Sequence, residues 1–362
     1  MSSTAGRSSR WTTAARASGV ALALVLGLSA CASAEPPGPA PTTTAESEVT
    51  AAKAAPPAPV VPLTWPLTGV ETAEVAARPA LAVKIENSTV SRPQTGLEQA
   101  DMVWEEVVEG GITRFVAVYH SQAPEVVEPV RSVRPMDPAI VAPLRGLLAY
   151  SGAQQPFIDA VNAAGIQSII MDKGHAGFSR DRRRAAPHNV IGNMAAFWGQ
   201  ADGNRAVPPP AQLRYAREVG KGSAATAGTP ANRLDITLSR TQRTVWDWDA
   251  GSGTYLRSDG GTPAVSTAGT RLSARNVLLL SVEVVNTPFL DPSGAPVPET
   301  KLVAAGTGVL ATGGKSVPVN WSKASVGDLL VVTLGDGKPA LLDPGNTWIE
   351  LVPAGSGSWA IG

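Results

Sequence analysis

The sequence predicts an α+β protein, with mixed sheets and helices in layers in an N-terminal domain and a mainly antiparallel β C-terminal domain. Three observations carry this prediction. Two apolar runs, residues 102–109 and 112–120, flank the pair Gly110-Gly111, which is the spacing of a β-hairpin with a two-residue turn. A strand, a helix and a strand follow one another over residues 146–171, which indicates a crossover unit. From Leu234 onward, short apolar runs alternate with glycine turns, as in antiparallel sheets.

The register of this hairpin assigns its charges to two faces. With a two-residue turn, antiparallel pairing places Glu106 opposite Phe115, because paired positions keep a constant sum. Arg114 then lies diagonally between Glu105 and Glu109, within reach of either carboxylate. The other face carries Glu106 as its single charge.

A lone carboxylate on a mostly apolar face must be paired or protonated. One interpretation of Glu106 is therefore a ligand-facing or acid/base group. The other is a structural ion pair with Arg131 or Arg134, which lie in a segment that its prolines keep extended.

The remaining elements of the first half follow from local signals. Alternating residues 80–87 predict a strand that ends in a turn. Asp137 is expected to cap a helix through Arg145, and Asn193 a short helix through Trp198. Gly165 is expected to end the helix of the crossover unit. The unit itself is predicted as strand 146–151, helix 155–164 and strand 166–171.

The second half is predicted as strands after a linker. The Pro-, Gly- and Ala-rich linker contains one expected helical turn around residues 213–219. The predicted strands are residues 234–239, 244–248, 254–257, 276–285, 307–311, 316–321, 329–334 and 348–352. The predicted segments of the whole chain are a signal peptide (1–30), a lipidated cysteine with a Pro/Ala/Thr-rich tether (31–62), an N-terminal domain (63–200), the linker (201–232) and a C-terminal domain (233–354).

The N-terminus indicates export. Arg7, Arg10 and Arg16 precede a short apolar run, residues 20–28, and Leu28-Ser29-Ala30-Cys31 resembles a bacterial lipobox. The resemblance implies cleavage before Cys31, a lipid on its sulfur, and a protein anchored to the cell membrane on the extracytoplasmic side. A membrane-spanning helix is the competing interpretation, but the run is shorter than the roughly 20 residues that a span needs.

Composition excludes several classes of function. Hydrophobic residues at 43% and charged residues at 17% describe a globular protein. Removing the three arginines of the signal peptide leaves 27 basic residues against 30 acidic ones, so no nucleic-acid partner is expected. Three histidines and one lipidated cysteine predict no zinc site, and we expect no cofactor. The half calcium loop that begins at Asp247 lacks its distal glutamate.

With these segments assigned, the chain resembles the YerB-like bacterial lipoprotein family, whose members carry two domains of unknown function behind a lipobox. The family implies a layered α+β fold and no established reaction. It also implies a histidine after the strand near Tyr150, where this chain has Ser151. The N-terminal blocks of the resemblance are Arg92-Pro93-Gln94-Thr95-Gly96-Leu97, Ala100-Asp101, Glu109-Gly110-Gly111-Ile112-Thr113-Arg114, Pro129-Val130-Arg131-Ser132-Val133-Arg134-Pro135 and Ala186-Pro187-His188-Asn189. The C-terminal blocks are Tyr255-Leu256-Arg257, Ala274-Arg275-Asn276-Val277, Gly306-Thr307-Gly308 and Thr347-Trp348-Ile349.

The charged residues of the first half are the candidate site. Guanidinium groups bind carboxylate and phosphate ligands, and a histidine in a Pro-His-Asn turn can serve in ligand binding or acid/base catalysis. The same residues could instead form a buried ion-pair network, and the turn histidine could be structural. The candidates for a binding cleft are Arg92, Asp101, Glu105, Glu106, Glu109, Arg114, Arg131, Arg134, His188 and Asn189.

Two functions remain open on the sequence alone. The first is an envelope lipoprotein that binds a ligand or a protein partner in this cleft. The second is a hydrolase or lyase acting on cell-wall material through an acidic residue and a histidine. An enzyme would need an N-terminal carboxylate within hydrogen-bond reach of His188, whereas a scaffold would bury and pair every charge.

Overall fold

The structure is a computed structural model that describes residue 38 and residues 61–362. The predicted signal peptide and the lipidation site Cys31 lie outside the described residues, as does nearly all of the tether. No helix in the described part of the chain has the length and apolar character needed to cross a membrane.

The strands and helices are short and numerous. The first half contains β1 (Leu81–Glu86), β2 (Met102–Val107), β3 (Thr113–Tyr119), β4 (Val126–Val127), β5 (Leu147–Tyr150), β6 (Gln167–Ile170), β7 (Phe178–Arg180) and β8 (Val190–Asn193). The second half contains β9 (Thr229–Pro230), β10 (Arg233–Thr237), β11 (Arg243–Asp249), β12 (Thr254–Asp259), β13 (Thr262–Pro263), β14 (Ser273–Ala274), β15 (Asn276–Leu290), β16 (Pro296–Lys301), β17 (Ala305–Thr312), β18 (Lys315–Ser322), β19 (Val331–Thr333), β20 (Thr347–Pro353) and β21 (Ser358–Ile361). The α-helices are α1 (Asp137–Val141), α2 (Gln155–Ala163), α3 (Met194–Trp198) and α4 (Ser223–Ala227).

One long sheet runs through both halves of the described chain. Its strand order is β19-β18-β17-β15-β20-β2-β3-β1-β5-β6, with β16 and β9 attached at β15 and β18. Strand β20 is parallel to both β15 and β2, so it joins the second half to the first. A second sheet has the order β13-β12-β11-β10-β21 with β14 on β12, and a third has the order β4-β8-β7.

The mixed α+β architecture is confirmed. In the first half, β5, α2 and β6 form the predicted crossover unit with two parallel strands, and β1 is parallel to β5. In the second half, the second sheet and the pairs β15–β17 and β17–β18 are antiparallel. The proposed boundaries between the two domains stay a prediction, since the long sheet continues from one half into the other.

Alternate residues of β2 define two buried faces of the long sheet. Met102, Trp104 and Glu106 point to what we call the helix face, where Val141 of α1 and Val161 of α2 complete the core. The neighbouring residues Val103, Glu105 and Val107 point to the sheet face, where the core includes residues of the second sheet such as Trp246 and Tyr255. All six residues of β2 are buried because both faces are covered.

The predicted hairpin exists, but its register was wrong by one residue. Strand β2 pairs with β3 so that Glu106 lies opposite Arg114 and Glu105 opposite Phe115. The turn is not two residues long, because a short 3-10 turn spans Glu109–Gly111 and the amide of Val108 bonds the carbonyl of Ile112. A slip of one residue moves every side chain of β3 to the other face. Glu106 therefore shares its face with Arg114, and Arg114 does not lie on the face of Glu105.

Several smaller predictions also changed. Helix α1 ends at Val141 and continues as a 3-10 turn, since a proline follows at position 143. The expected helical turn around residues 213–219 is wrong: Tyr215 forms a β-bridge with Leu342, and the helix of this region is α4. Asn193 caps α3 as predicted, its side-chain oxygen accepting from the amide of Ala196. Strands β16 and β21 were not predicted.

Candidate functional site

The two consecutive glutamates of β2 belong to separate charge clusters on opposite faces of the sheet. On the helix face, Glu106 forms an ion pair with Lys84 of β1, and Lys84 Nζ also lies 2.8 Å from Asp137 Oδ1. All three side chains are fully buried. The predicted alternative partners of Glu106, Arg131 and Arg134, are wrong, because the ion pair is made by Lys84, which lies on the same face of the sheet two strands away, across β3.

The charged form of Glu106 is destabilised in this triad. Burial, followed by repulsion from Asp137, raises the pKa of Glu106 to about 7 despite the attraction of Lys84. Two carboxylates therefore share one ammonium group out of contact with water, and one of them is protonated easily. With no side open to solvent, the triad holds α1 against the sheet and offers no place for a ligand.

A second group of the helix face lies next to the triad. Arg134 forms a bidentate ion pair with Glu109, with Nη2 2.7 Å from Oε2. Arg114 lies 3.9 Å from the same carboxylate and donates from Nη1 to the carbonyl of Ser132 at 2.8 Å. Burial and the nearby Arg134 lower the pKa of Arg114 to about 9. These residues continue the ion-pair network toward the carboxyl end of β1.

At that end the network opens to solvent. Glu86 is the last residue of β1 and is 1% exposed, while its neighbours Arg131 and His188 are 22% and 27% exposed. Glu86 Oε1 lies 2.8 Å from His188 Nδ1 and accepts a bond of 2.8 Å from Ser88 Oγ. Glu86 Oε2 lies 3.3 Å from Arg131 Nε. We call Glu86, Arg131 and His188 the open cluster.

The position of the open cluster follows from the sheet. The carboxyl end of β1 lies beside that of the parallel strand β5, which is followed by Ser151. Ligands of open α/β sheets bind outside the carboxyl ends of parallel strands. Ser151 Oγ lies 3.2 Å from Ser132 Oγ here, so the chain places two hydroxyls where the resemblance implied a histidine.

Glu86 is the member of the open cluster that was not predicted. The residue ends an apolar strand, Leu81-Ala82-Val83-Lys84-Ile85-Glu86. A charged residue at the end of such a strand was the sequence signal that could have identified it. Its contact with His188 spans 102 residues, and no local pattern reports such a pair. The expected requirement for an N-terminal carboxylate beside His188 is thus met by Glu86, not by Glu106.

Asn189 is a positioning residue for the loop that carries His188. Its amide nitrogen donates to the carbonyls of Asp181 and Arg184 at 3.0 and 3.2 Å, and its oxygen accepts from Arg180 Nη1 at 2.8 Å. These bonds close the loop on itself and leave the imidazole of His188 beside Glu86.

The sheet face carries a second cluster, which we call the closed network. Arg257 of β12 is fully buried, with Nη2 2.8 Å from Glu105 Oε2 and Nη1 3.2 Å from Glu350 Oε1. Asp259 Oδ1 lies 3.1 Å from the same guanidinium group. The aromatic rings of Phe115, Trp246 and Trp348 surround it at 5.0–5.6 Å from their centroids.

Glu105 is further bonded by its neighbours, since Thr113 Oγ1 donates to it at 2.6 Å and Asn87 Nδ2 at 3.1 Å. Arg92 lies at the rim of this network, where it bonds Asn87 and Gln242 and lies 3.4 Å from Asp259. Two of the predicted cleft residues, Arg92 and Glu105, therefore lie in the closed network and not with His188.

Asp101 lies apart from both clusters. Its carboxylate accepts from the amides of His120 and Ser121 at 2.6 and 2.8 Å and from the Ser121 hydroxyl. Burial raises the pKa of Asp101, and these hydrogen bonds oppose the rise. The residue holds the turn after β3.

The described residues contain no group of three or more His, Cys, Asp or Glu side chains placed to hold a metal ion. Two of the larger clefts in this part of the chain are lined mainly by apolar residues and contain none of the charged candidates. The ten predicted residues are thus distributed over the helix face, the open cluster, the closed network and the turn of Asp101.

Comparisons with known proteins agree with this architecture. Residues 67–207 match the N-terminal domain model of DUF3048, a protein of unknown function, and residues 234–349 match the C-terminal domain model. The protein named "Putative lipoprotein YerB" from Bacillus subtilis (strain 168) is 27% identical over 331 residues, which cover 83% of this chain and 89% of the relative.

The fold also matches a solved structure. The crystal structure of the YerB protein from Bacillus subtilis superposes with a TM-score of 0.69 at 24% identity, covering 82% of this chain and 99% of that one. Both domain models match in the expected order, and the relative and the solved structure extend over most of the chain. The chain belongs to the YerB-like family of two-domain DUF3048 proteins.

Proposed function

We propose that this protein is an extracytoplasmic lipoprotein, anchored to the membrane through Cys31, that binds an anionic or zwitterionic ligand of the cell envelope at the open cluster. The anchor is supported by the lipobox residues and by the name of the Bacillus relative. A lipid on Cys31 would hold the protein at the membrane by burial of its chains, and the tether would place the folded part beyond the surface.

The observation that carries the binding proposal is the state of Arg131. Its guanidinium makes no hydrogen bond among the described residues, although it lies 3.3 Å from the buried Glu86 and is partly open to solvent. A guanidinium has five N–H donors in a planar fork that matches a carboxylate or a phosphate. Free donors beside a half-exposed imidazole favour an anionic group as the ligand.

A second candidate function is acid/base catalysis, favoured by the contact between Glu86 and His188. A carboxylate on Nδ1 orients an imidazole and stabilises its protonated form, which leaves Nε2 to take a proton from a substrate. Among the described residues, no hydrogen bond engages Nε2 of His188. A hydrolase or lyase acting on cell-wall material would use the ring in this way.

The anchor is tested by replacing the cysteine. Cys31→Ser removes the sulfur that the thioether needs, so the protein should move from the membrane fraction to the soluble fraction. Retention of this variant in membranes after washing with high salt would contradict the lipid anchor.

Ligand binding is tested by a thermal-shift screen of the full-length protein in detergent against soluble fragments of the cell envelope. A fragment that binds should raise the melting temperature of the parent, because ligands that bind only the folded state stabilise it. Arg131→Gln should abolish the rise, and the exposed Arg217→Gln is the matched control that should keep it. If Arg131→Gln responds like the parent, the open cluster is not the binding site.

The variant His188→Gln distinguishes the enzyme from the binding protein. Loss of turnover of a cell-wall fragment, with its thermal shift retained, would favour the enzyme. If the parent turns over no fragment and His188→Gln binds the fragment more weakly than the parent does, the protein is a binding protein and not an enzyme.

A further inference from the structure

A polar cleft lies where the loop of His188 meets the second half of the chain. It has a volume of about 490 Å³, and we call it the Glu128 cleft after the residue in its wall. It does not include Glu86, Arg131 or His188, so it is a separate place from the open cluster. Its apolar lining is formed by Pro93, Val126 and Ile191.

Glu128 is the unusual group in this cleft. The residue is 5% exposed, and neither of its carboxylate oxygens accepts a hydrogen bond from the described residues. The nearest cation is Arg184, whose Nε lies 3.6 Å from Oε1. Burial raises the pKa of Glu128, although Arg184 opposes the rise. A buried carboxylate without donors is costly, so a donor supplied by a ligand would be favourable.

Arg184 forms no hydrogen bond to Glu128, because its two terminal nitrogens are bonded elsewhere. Its Nη1 and Nη2 donate to the carbonyls of Ser91 and Pro93 at 2.7 and 2.6 Å. The guanidinium therefore fixes the wall of the cleft. The carboxylate of Glu128 faces the cavity and can receive hydrogen-bond donors from a ligand.

The remaining polar groups offer both donors and acceptors. Thr95 Oγ1 and Thr267 Oγ1 lie 3.0 Å apart and bring the two halves of the chain together at the cleft. Arg183 is 87% exposed and is held by Asp181 through Nε and Nη2, which leaves Nη1 without a partner among the described residues. The cleft can thus receive hydroxyl donors at one wall and an anionic group at its rim.

We propose that the Glu128 cleft binds a saccharide that carries a carboxylate. Its hydroxyl groups donate to Glu128 and to the threonine pair, its C–H face lies on the apolar lining, and its carboxylate meets Arg183. A purely anionic ligand would be repelled by Glu128, and a purely apolar one would leave the carboxylate without donors.

The test uses a matched pair of sugars, glucuronic acid and glucose, which differ in one carboxylate. Calorimetric titration of the full-length protein in detergent should show binding of both, with glucuronic acid the tighter. Glu128→Gln should weaken both sugars by roughly tenfold, as expected for a lost hydrogen bond to a charged group. Arg183→Ala should weaken glucuronic acid alone, and the exposed Arg182→Ala, which does not line the cleft, should change neither.

Other outcomes overturn the inference. Absence of saturable binding of both sugars would do so, provided that the melting temperature shows the protein to be folded. Equal binding by the parent and by Glu128→Gln would also overturn it. If Arg131→Gln abolishes binding while Glu128→Gln does not, the sugar binds in the open cluster, and the proposed function stands without this second site.

Discussion

Two regions of the molecule place a guanidinium beside a buried carboxylate, and they do so with opposite consequences. In the closed network, Arg257 contacts three carboxylates and three aromatic rings and has no exposed surface. In the open cluster, the side chain of Arg131 has one charged partner among the described residues, Glu86, and is partly exposed. The comparison shows that the number of partners and the access of solvent, not the residue types, distinguish a structural ion pair from a candidate site.

The closed network also balances its own charge. Burial and repulsion from Glu105 raise the pKa of Glu350 well above its usual value, which favours the neutral form of this buried carboxyl group. Trp246 Nε1 donates to Glu350 Oε1 at 2.9 Å. The network therefore joins the long sheet to the second sheet through one guanidinium that Glu105, Glu350 and Asp259 share.

The largest expected effect is on Arg257. Arg257→Met keeps an unbranched apolar stem but removes the guanidinium, so Glu105 stays buried without its cation. The free energy of unfolding should fall by about 3–5 kcal/mol, the usual cost of breaking a buried pair. Urea unfolding measures this, with Arg243→Met as the control, since the pair of Arg243 and Asp235 lies at the surface and contributes little to stability.

A loss below that of the control would mean that the closed network does not hold the two sheets together. The closed network would then not be a structural ion-pair network, and its contrast with the open cluster would be lost.

The next prediction distinguishes the two consecutive glutamates of β2 by the effect of replacing each with glutamine. Glu105→Gln removes an acceptor of Arg257 and should lower the free energy of unfolding by about 2 kcal/mol at pH 7. Glu106→Gln should behave differently, because the pKa of Glu106 rises from 4.5 to about 7 on folding. The folded parent binds an extra proton between these values, so this group makes the parent less stable as the pH rises.

Glutamine cannot ionise, so Glu106→Gln should gain stability relative to the parent as the pH rises from 5 to 8. Urea midpoints of both variants over this range measure the difference. A constant difference between the urea midpoints of Glu106→Gln and the parent from pH 5 to 8 would contradict the raised pKa of Glu106.

Local patterns predicted most elements of the fold, because each depends on neighbours in sequence. The alternation of residues 80–87 and the Asn193 cap are examples, and both are observed. The register of the hairpin failed because Gly110 and Gly111 both have positive φ, as a two-residue turn requires, yet lie in a longer loop. Turn residues indicate a turn without fixing its length.

The candidate site was predicted less completely, since its pairs are distant in sequence. His188 and Arg131 were named, but their partner Glu86 was not. Arg257 lies 152 positions from Glu105, and its only local signal was its place on the same side of β12 as the buried Tyr255. Which carboxylate meets which cation depends on the order of strands in the sheet, and this order is not a local property.

A smaller effect is expected at the loop between β2 and β3. Gly111 has a φ of +73°, and a Cβ atom there would lie 3.2 Å from Ser239 Oγ and Thr241 Oγ1, which both donate to its carbonyl. Gly111→Val should therefore lower the free energy of unfolding by about 1–3 kcal/mol. Gly110→Val shares the positive φ but meets nothing within 4 Å, so it should cost less. Equal melting temperatures of the two variants would mean that this loop does not support the second sheet.

The smallest effect on stability is expected in the open cluster. His188 and Arg131 are partly exposed, so His188→Ala and Arg131→Gln should each lower the free energy of unfolding by less than about 1 kcal/mol, as for other solvent-accessible pairs. Groups that contribute little to stability and keep free donors are available for a ligand. Urea unfolding at pH 7 tests this alongside Arg257→Met. If His188→Ala costs as much as Arg257→Met, Glu86 depends on the imidazole for its burial, the open cluster is a structural ion pair like the closed network, and the proposed binding site loses its physical basis.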